Sequence, residues 1–280
     1  MLIVSDVSRQ LDELANEFLR GSGVLVLPGA FTGDQISSAR QIIVAESDAN
    51  AGTATHFQGA NSDKLSLQRR VWNLLNKGEV FAEMVQHPDV VAICSHLLGS
   101  AFKLGSIAAN RLLPGGPGQE PHIDYPYWDF HKPHEFPVGM NSSFAMNLQA
   151  TILLDDFTPE NGATAYLPGS QRDLSYPNDR AAFDAGMERM TGAAGDCVIF
   201  NGMIHHCAMP NTSATDRSGV LIEYLPKFVI QLEDQINGVN PSVIENASPL
   251  LRQLIGVDYK FPELLDQAPA GNTEGRYAEV

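Results

Sequence analysis

A mainly β fold with flanking helices is what this sequence predicts, and three observations point to it. From about residue 102 the chain breaks into short apolar runs. Turn-forming residues separate those runs: Pro114-Gly115-Gly116, Glu160-Asn161-Gly162, Pro168-Gly169 and Ala194-Gly195-Asp196. Ahead of them, residues 7–20 place Leu11, Leu14, Ala15, Phe18 and Leu19 at helical spacing. Many short strands at such intervals suit a sandwich or barrel, and the helical period before them suits elements laid against one face.

After the first helix, Gly23-Val24-Leu25-Val26-Leu27 reads as a short buried strand stopped by Pro28-Gly29. Thr32 can cap a helix over about 33–47. Residues 52–64 are small and polar and read as a loop, and 65–99 as helical pieces in which Trp72 packs with Val71, Leu74 and Leu75. Strands are expected near 102–113, 144–154, 163–167, 196–200, 204–209 and 218–226, and a further helix near 249–255. No repeat or low-complexity linker divides the 280 residues. One domain is expected: residues 1–99 a mostly helical buttress, 100–226 the β core with an insert at 125–143, and 227–280 a C-terminal extension.

Composition narrows the function. Eighteen basic residues stand against 33 acidic ones, a net charge of -15. A nucleic-acid binder needs a basic footprint, and an anionic membrane surface would repel this chain, so neither partner is expected. Cys94, Cys197 and Cys207 are few and odd in number, which argues against a disulfide framework and for a reducing compartment. The start, MLIVSDVSRQLDEL, lacks a basic region followed by a long apolar run, and no stretch approaches bilayer length. A cytoplasmic location is expected.

Two His-x-Asp triplets occur. In His87-Pro88-Asp89 the proline suits a first helical position and the aspartate favours the helix dipole, so that triplet reads as a helix start. His122-Ile123-Asp124 follows a candidate strand and a Gly/Pro loop. In extended chain, residues two apart share a face, so His122 and Asp124 can converge on one ion while Ile123 turns to the core. Two His and one carboxylate form the facial triad that leaves coordination positions open for a co-substrate and O2. A third ligand must come from another strand, and His205-His206 offers one. Adjacent residues on a strand face opposite ways, so normally one of the pair can bind. If Asn211 to Asp216 forms a hairpin, Arg217 returns beside the His strand, where a guanidinium could grip a carboxylate with two parallel hydrogen bonds.

Three stretches, PHIDYPYW, ENGATAYLPGSQR and GDCVIFNGMIHHCAMPNTSATDR, make the chain resemble the phytanoyl-CoA hydroxylase-like (PhyH) Fe(II)/2-oxoglutarate dioxygenases. The resemblance runs from Gly23 to Tyr224. It implies a double-stranded β-helix core, the cupin-like jelly roll. In that family an Asn lies five residues and an Arg eleven past the distal His, which selects His206. The resemblance further implies that His122, Asp124 and His206 bind Fe(II), that Arg217 pairs with the far carboxylate of 2-oxoglutarate, and that Thr151 gives the co-substrate a polar contact. Two departures bear on secondary contacts: several relatives carry Gln two residues before the first His, where this chain has Glu120 with Gln119 one place back, and Ala208 stands where a small hydroxyl is common.

The implied chemistry uses O2 and decarboxylates 2-oxoglutarate to succinate while oxidising an unactivated C–H. Related halogenases have Gly or Ala in place of the aspartate, so Asp124 makes hydroxylation the expected outcome, with desaturation, epoxidation or ring formation as alternatives. Tyr125, Tyr127, Trp128 and Phe136 fall in the insert beside the metal triplet and suit a substrate pocket or lid. His131 and His134 in the same insert read as surface residues, and Cys207 as a buried inert thiol. A cupin-like zinc hydrolase or isomerase would have no use for Arg217 at its offset, and a non-catalytic binding or sensor module none for a complete ligand set. The expected partner is a free small-molecule substrate.

Overall fold

Alternating side chains on the central strands decide the architecture. The computed structural model describes residues 1–51, 66–124 and 144–258. Ten strands lie among them: β1 Leu2–Ile3, β2 Val24–Leu27, β3 Gln68–Val71, β4 Lys103–Leu112, β5 Leu148–Leu153, β6 Ala165–Tyr166, β7 Glu188–Arg189, β8 Cys197–Asn201, β9 His206–Cys207 and β10 Arg217–Leu225. Seven form one sheet in the order β1-β2-β8-β5-β10-β4-β3, and three form a second in the order β7-β6-β9. An isolated antiparallel bridge between His122 and His206 adds a fourth rung to the small sheet. The β8-β5-β10-β4 ribbon is antiparallel throughout, and with the small sheet it makes the two-sheet jelly roll.

On the large sheet, odd and even residues part company, as a pleated strand requires. Leu104, Ile107, Ala109, Ala150, Ile152, Ile199, Val220, Ile222 and Tyr224 turn outward into one apolar cluster with the helices. Val24, Val26, Leu153, Val198 and Phe200 turn inward and join Phe157, Tyr166 and Ile204 in a second cluster between the sheets. The outer cluster is closed by α1 (Val7–Arg20), α2 (Gly33–Ala49), α4 (Pro88–Leu98) and α8 (Pro249–Ile255) through Leu14, Phe18, Ile43, Ile93 and Leu254. Tyr224 adds a directional tie: its buried hydroxyl donates to the Val85 carbonyl at 2.9 Å. Shorter helices α3 (Glu79–Met84), α5 (Arg180–Gly186), α6 (Gln235–Gly238) and α7 (Pro241–Glu245) and two 3-10 turns, Leu74–Asn76 and Ser170–Arg172, complete the described elements.

Local signals set several boundaries as expected. Thr32 and Gln35 form a reciprocal capping box at the start of α2. His87 is the N-cap of α4 with Pro88 in its first turn, so the decoy triplet is a helix start. The Asn161-Gly162 turn depends on its glycine, whose φ is +83° and whose missing Cβ would lie 2.3 Å from the Met209 carbonyl oxygen. Asn161 holds the turn by donating to the Asp156 carbonyl and accepting from the Thr158 amide. Gly162→Ala should therefore lower stability by more than ~2 kcal/mol, since backbone strain and a backbone clash coincide. The urea unfolding midpoint reads this directly.

Two expectations need correction. Residues 68–71 form a strand on the edge of the large sheet, not a helical piece, and Trp72 follows that strand. Pairing with β4 overrides the weak local preference of Gln-Arg-Arg-Val. The segment from Asn211 to Asp216 is not a hairpin: Arg217 pairs with Leu112 of β4, while the His206 strand pairs with β6. The segment crosses from the small sheet to the large one, held by Asn211, whose side chain donates to the Leu112 and Thr215 carbonyls.

Candidate metal centre

His122 and His206 face each other as a hydrogen-bonded antiparallel pair. The amide of each donates to the carbonyl of the other, at 2.9 and 3.0 Å. Residues opposed in this way put their side chains on one face, and the two imidazole centroids lie 4.5 Å apart. Asp124 shares that face two residues along, its amide held by the Gly202 carbonyl at 2.8 Å. His122 Nε2 stands 3.7 Å from Asp124 Oδ1, and His206 Nε2 stands 3.4 Å from Asp124 Oδ2. Nitrogen and oxygen ligands sit ~2.0–2.2 Å from a divalent ion, so these separations suit three ligands around one centre. Among the described residues, these three form the group of His, Cys, Asp and Glu that could hold a metal ion.

The tautomers are fixed by backbone carbonyls. His122 Nδ1 lies 2.8 Å from the Glu120 carbonyl, and His206 Nδ1 lies 3.0 Å from the Ile204 carbonyl. A carbonyl only accepts, so each Nδ1 carries the hydrogen and each neutral ring keeps its Nε2 lone pair for an ion. Burial pulls His122 down to about 4, assisted by the nearby His206, although 29% of its side chain reaches solvent. Burial also acts on His206, but the charge and hydrogen bond of Asp124 outweigh it and raise that imidazole. For Asp124 burial acts upward, and His206 with its neighbours outweighs it, so the carboxylate is held below its usual range.

His205 points away. Its Nε2 bonds to the Ser175 carbonyl at 2.7 Å, as the opposite-face rule requires. Cys207 is buried beside Ala165 and Phe183, and burial pushes its thiol up to about 11, which leaves it inert. Gln119 serves the backbone: its Oε1 accepts from the Ala208 amide.

A cationic recess lies on the inner face of the large sheet. Arg217 is 3% exposed, stacks over Phe157 at 4.7 Å, and has no ion-pair partner among the described residues; its buried Nε lacks a hydrogen-bond partner. Burial, with Arg70 and Arg189 nearby, pulls its pKa to about 9. A guanidinium nonetheless stays charged at neutral pH, and a buried charge with no ion-pair partner among the described residues is costly until an anion meets it. Gln68, paired across Leu112 from Arg217, is fully buried with neither amide atom bonded, and Asn110 Oδ1 is likewise unsatisfied. Such orphaned buried groups are rare unless a ligand completes them. Thr151 is on the same inner face, opposite Val198 and Leu221. A Cβ at Gly219 would touch both the Thr151 methyl and the Phe157 ring, so Thr151 lies near the ring over which Arg217 stacks.

Sequence reasoning missed Arg70, Gln68 and Asn110. Arg70 is pulled down to about 10 by burial and back up by Asp124, and it depresses Arg217 in turn. Its field thus reaches both the metal cluster and the anion recess. Reading 65–99 as helical hid it, and only a β assignment for residues 68–71 puts Gln68 and Arg70 on one face. Tyr125, Tyr127, Trp128 and Phe136, with His131 and His134, lie outside the described residues.

Comparison with known proteins agrees with this geometry. The family description "Phytanoyl-CoA dioxygenase (PhyH)" matches residues 19–219. The chain is 26% identical over 252 residues to the Fe(II)/2-oxoglutarate-dependent dioxygenase nvfF of Aspergillus novofumigatus, covering 87% of this chain and 81% of that one. It is 30% identical over 176 residues to the L-proline trans-4-hydroxylase of Streptomyces griseoviridis, covering 52% of this chain and 63% of that one. In fold it matches the non-heme alpha-ketoglutarate-dependent carbocyclase SnoK from nogalamycin biosynthesis, with a TM-score of 0.61 at 20% identity over 88% of this chain and 94% of that one. No helix among the described residues is long and apolar enough to cross a membrane. The chain belongs to the phytanoyl-CoA dioxygenase (PhyH) family, and its activity is that of an Fe(II)/2-oxoglutarate-dependent oxygenase.

Proposed function

We propose that His122 Nε2, Asp124 and His206 Nε2 hold one ferrous ion, that Arg217 binds the distal carboxylate of 2-oxoglutarate, and that the reaction hydroxylates a free small molecule. One observation carries the reading. A two-His, one-carboxylate cluster with both Nε2 atoms available shares the jelly-roll interior with a buried arginine that has no anion among the described residues. When bound, iron and 2-oxoglutarate supply the oxidising power: O2 is consumed, the keto acid leaves as succinate and CO2, and a C–H bond of the substrate is hydroxylated.

Every other task falls to the chain. The Glu120 and Ile204 carbonyls orient the two imidazoles, and the His122–His206 backbone pair sets their separation before any ion arrives. Arg217 fixes one end of the diacid, and Thr151 offers it a hydroxyl. A doubly negative co-substrate calls for a second cation, and Arg70 supplies it. Phe157, Val198 and Phe200 keep water from the inner wall, which strengthens each charge contact there. Asp124 fills the third protein position, which supports hydroxylation. The resemblance to a proline hydroxylase supports a free small substrate.

Arg70→Met should weaken 2-oxoglutarate binding by about 10-fold, the effect of roughly 1.4 kcal/mol, while iron affinity holds or rises slightly, because a cation acting on Asp124 and His122 is removed. Calorimetric titration of the co-substrate checks it. For the reaction itself, purified protein supplied with Fe(II), O2 and 2-oxoglutarate is expected to release succinate across a small-molecule panel, with hydroxylated product in the responding wells. Succinate release that is indifferent to added iron would sink the reading.

A further inference from the structure

Arg217 is held from behind. Its two chain neighbours, Asp216 and Ser218, are each tied to α2 through a charged side chain. On the Asp216 side the tie is Arg111. Its Nε and Nη2 donate to Asp216 Oδ2 at 2.7 and 2.6 Å. Its Nη1 donates to Asp48 Oδ1 at 2.8 Å and to Ser47 Oγ at 3.0 Å, both in the last turn of α2. On the Ser218 side the tie is Asp155. Its Oδ2 accepts from the Ser218 amide at 2.9 Å, and its Oδ1 accepts from Nε of Arg40, on α2, at 2.7 Å. The Arg111 side chain is 10% exposed and that of Asp155 20%, so salt screens neither tie strongly.

Sheet register explains why the ties meet at one place. Arg69, Arg111 and Ser218 stand opposite one another on β3, β4 and β10, and this rung faces α2. The rungs on either side face inward, as the pleat requires: Gln68, Leu112 and Arg217 on one, Arg70, Asn110 and Gly219 on the other. Arg69 also grips Asp48. The carboxylate that holds Arg111 therefore holds the edge strand that carries Gln68 and Arg70. The last turn of α2 fixes the backbone beneath both Arg217 and Arg70.

Arg217 needs such holding. Burial depresses its pKa most, Arg70 and Arg189 push the same way, and Asp155 opposes them. A buried guanidinium among like charges gains by turning toward water, and a loose backbone would let it turn. A diacid of fixed length is gripped well at its far end only by a group that stays in place, which packing and hydrogen bonds behind it must secure.

We propose that Arg111 and Asp155 are positioning residues for Arg217, two clamps from α2 that set where its guanidinium meets the co-substrate. This rests on the reading of Arg217 as the anchor of 2-oxoglutarate, and it adds what makes that anchor rigid. An ion pair on the same helix supplies the control. Lys77 Nζ lies 2.6 Å from Glu46 Oε2, and that pair touches neither neighbour of Arg217.

The test is a double-mutant cycle, read by calorimetric titration of 2-oxoglutarate into the Fe(II)-loaded protein without oxygen. Arg111→Met should weaken binding about 10-fold, or about 1.4 kcal/mol. Once Arg217 is already Met, the same change should cost less than about twofold, because a residue that acts through Arg217 has nothing left to act on. Arg111→Lys should recover part of the loss, and Lys77→Met should leave affinity within about twofold of wild type. Asp155→Ala should weaken binding about threefold. Losing a negative charge near Arg217 would by itself favour an anion, so a weaker grip there reports lost position. Should Arg111→Met fail to fold, Asp48→Ala loosens the same clamp at a carboxylate 53% exposed, and about threefold weaker binding is expected. An equal loss in both Arg217 backgrounds, no loss with Arg217 present, or tighter binding in Asp155→Ala overturns the proposal. Unchanged affinity in Arg217→Met alone would count against the anchor reading itself, and the clamps would fall with it.

Discussion

His206→Ala should abolish stoichiometric iron loading, with the ferrous dissociation constant rising by more than about 100-fold. Loss of a partner that merely supports a ligand costs about 10–100-fold in metal affinity, and His206 is placed as a ligand itself. Its ring is buried, faces His122 at 4.5 Å, and keeps Nε2 toward Asp124 while Nδ1 is occupied by the Ile204 carbonyl. His205→Ala is the natural control. That ring bonds the Ser175 carbonyl on the other face, so its removal should cost stability and leave iron loading near wild type. Metal analysis after gel filtration separates the two. Equal iron content in both variants would show that residue 206 has been given the wrong role.

Arg217→Met is expected to act with opposite signs on binding and on stability. The apparent affinity for 2-oxoglutarate should fall by roughly 100-fold, since losing a charge-assisted buried pair costs ~2–5 kcal/mol. Iron loading should persist, because Arg217 is on β10 of the large sheet and the His122–His206 pair is on the small one. In the absence of co-substrate, the same change removes a buried cation with no ion-pair partner among the described residues and puts a thioether over Phe157. Stability should then stay level or rise by ~1–2 kcal/mol, as when buried charges give way to apolar groups. Calorimetry for the ligand and chemical denaturation for the fold give both readings. A variant that loses iron along with 2-oxoglutarate would mean that Arg217 supports the metal cluster.

What the sequence disclosed follows from how locally each feature is encoded. The capping box of Thr32 and Gln35, the Pro88 helix start and the Asn161-Gly162 turn are determined within four residues, and all stand where sequence logic puts them. Strands β4, β5, β8 and β10 were legible because each is a run of five residues or more, rich in apolar side chains and set off by turn-forming residues. Strands of two residues, such as β1 and β7, carry no period and are defined only by their partners. The β3 edge was hidden for the same reason, and with it the inward pair of Gln68 and Arg70. The metal triplet was legible from two-residue periodicity, and the choice of His206 came from family spacing. The path of Arg217 was not legible. A turn that reverses beside its own strand and one that crosses to the facing sheet share the same Asn, Ser and Thr vocabulary.

The measurement nearest the central claim is optical. Wild-type protein freed of oxygen, given one equivalent of Fe(II) and then 2-oxoglutarate, should develop the weak visible metal-to-ligand charge-transfer band of a keto acid chelated to ferrous iron. His206→Ala should not develop it. A featureless spectrum from the wild type, or the same band in His206→Ala, would contradict the assignment of residues 122, 124 and 206 to a shared ferrous ion.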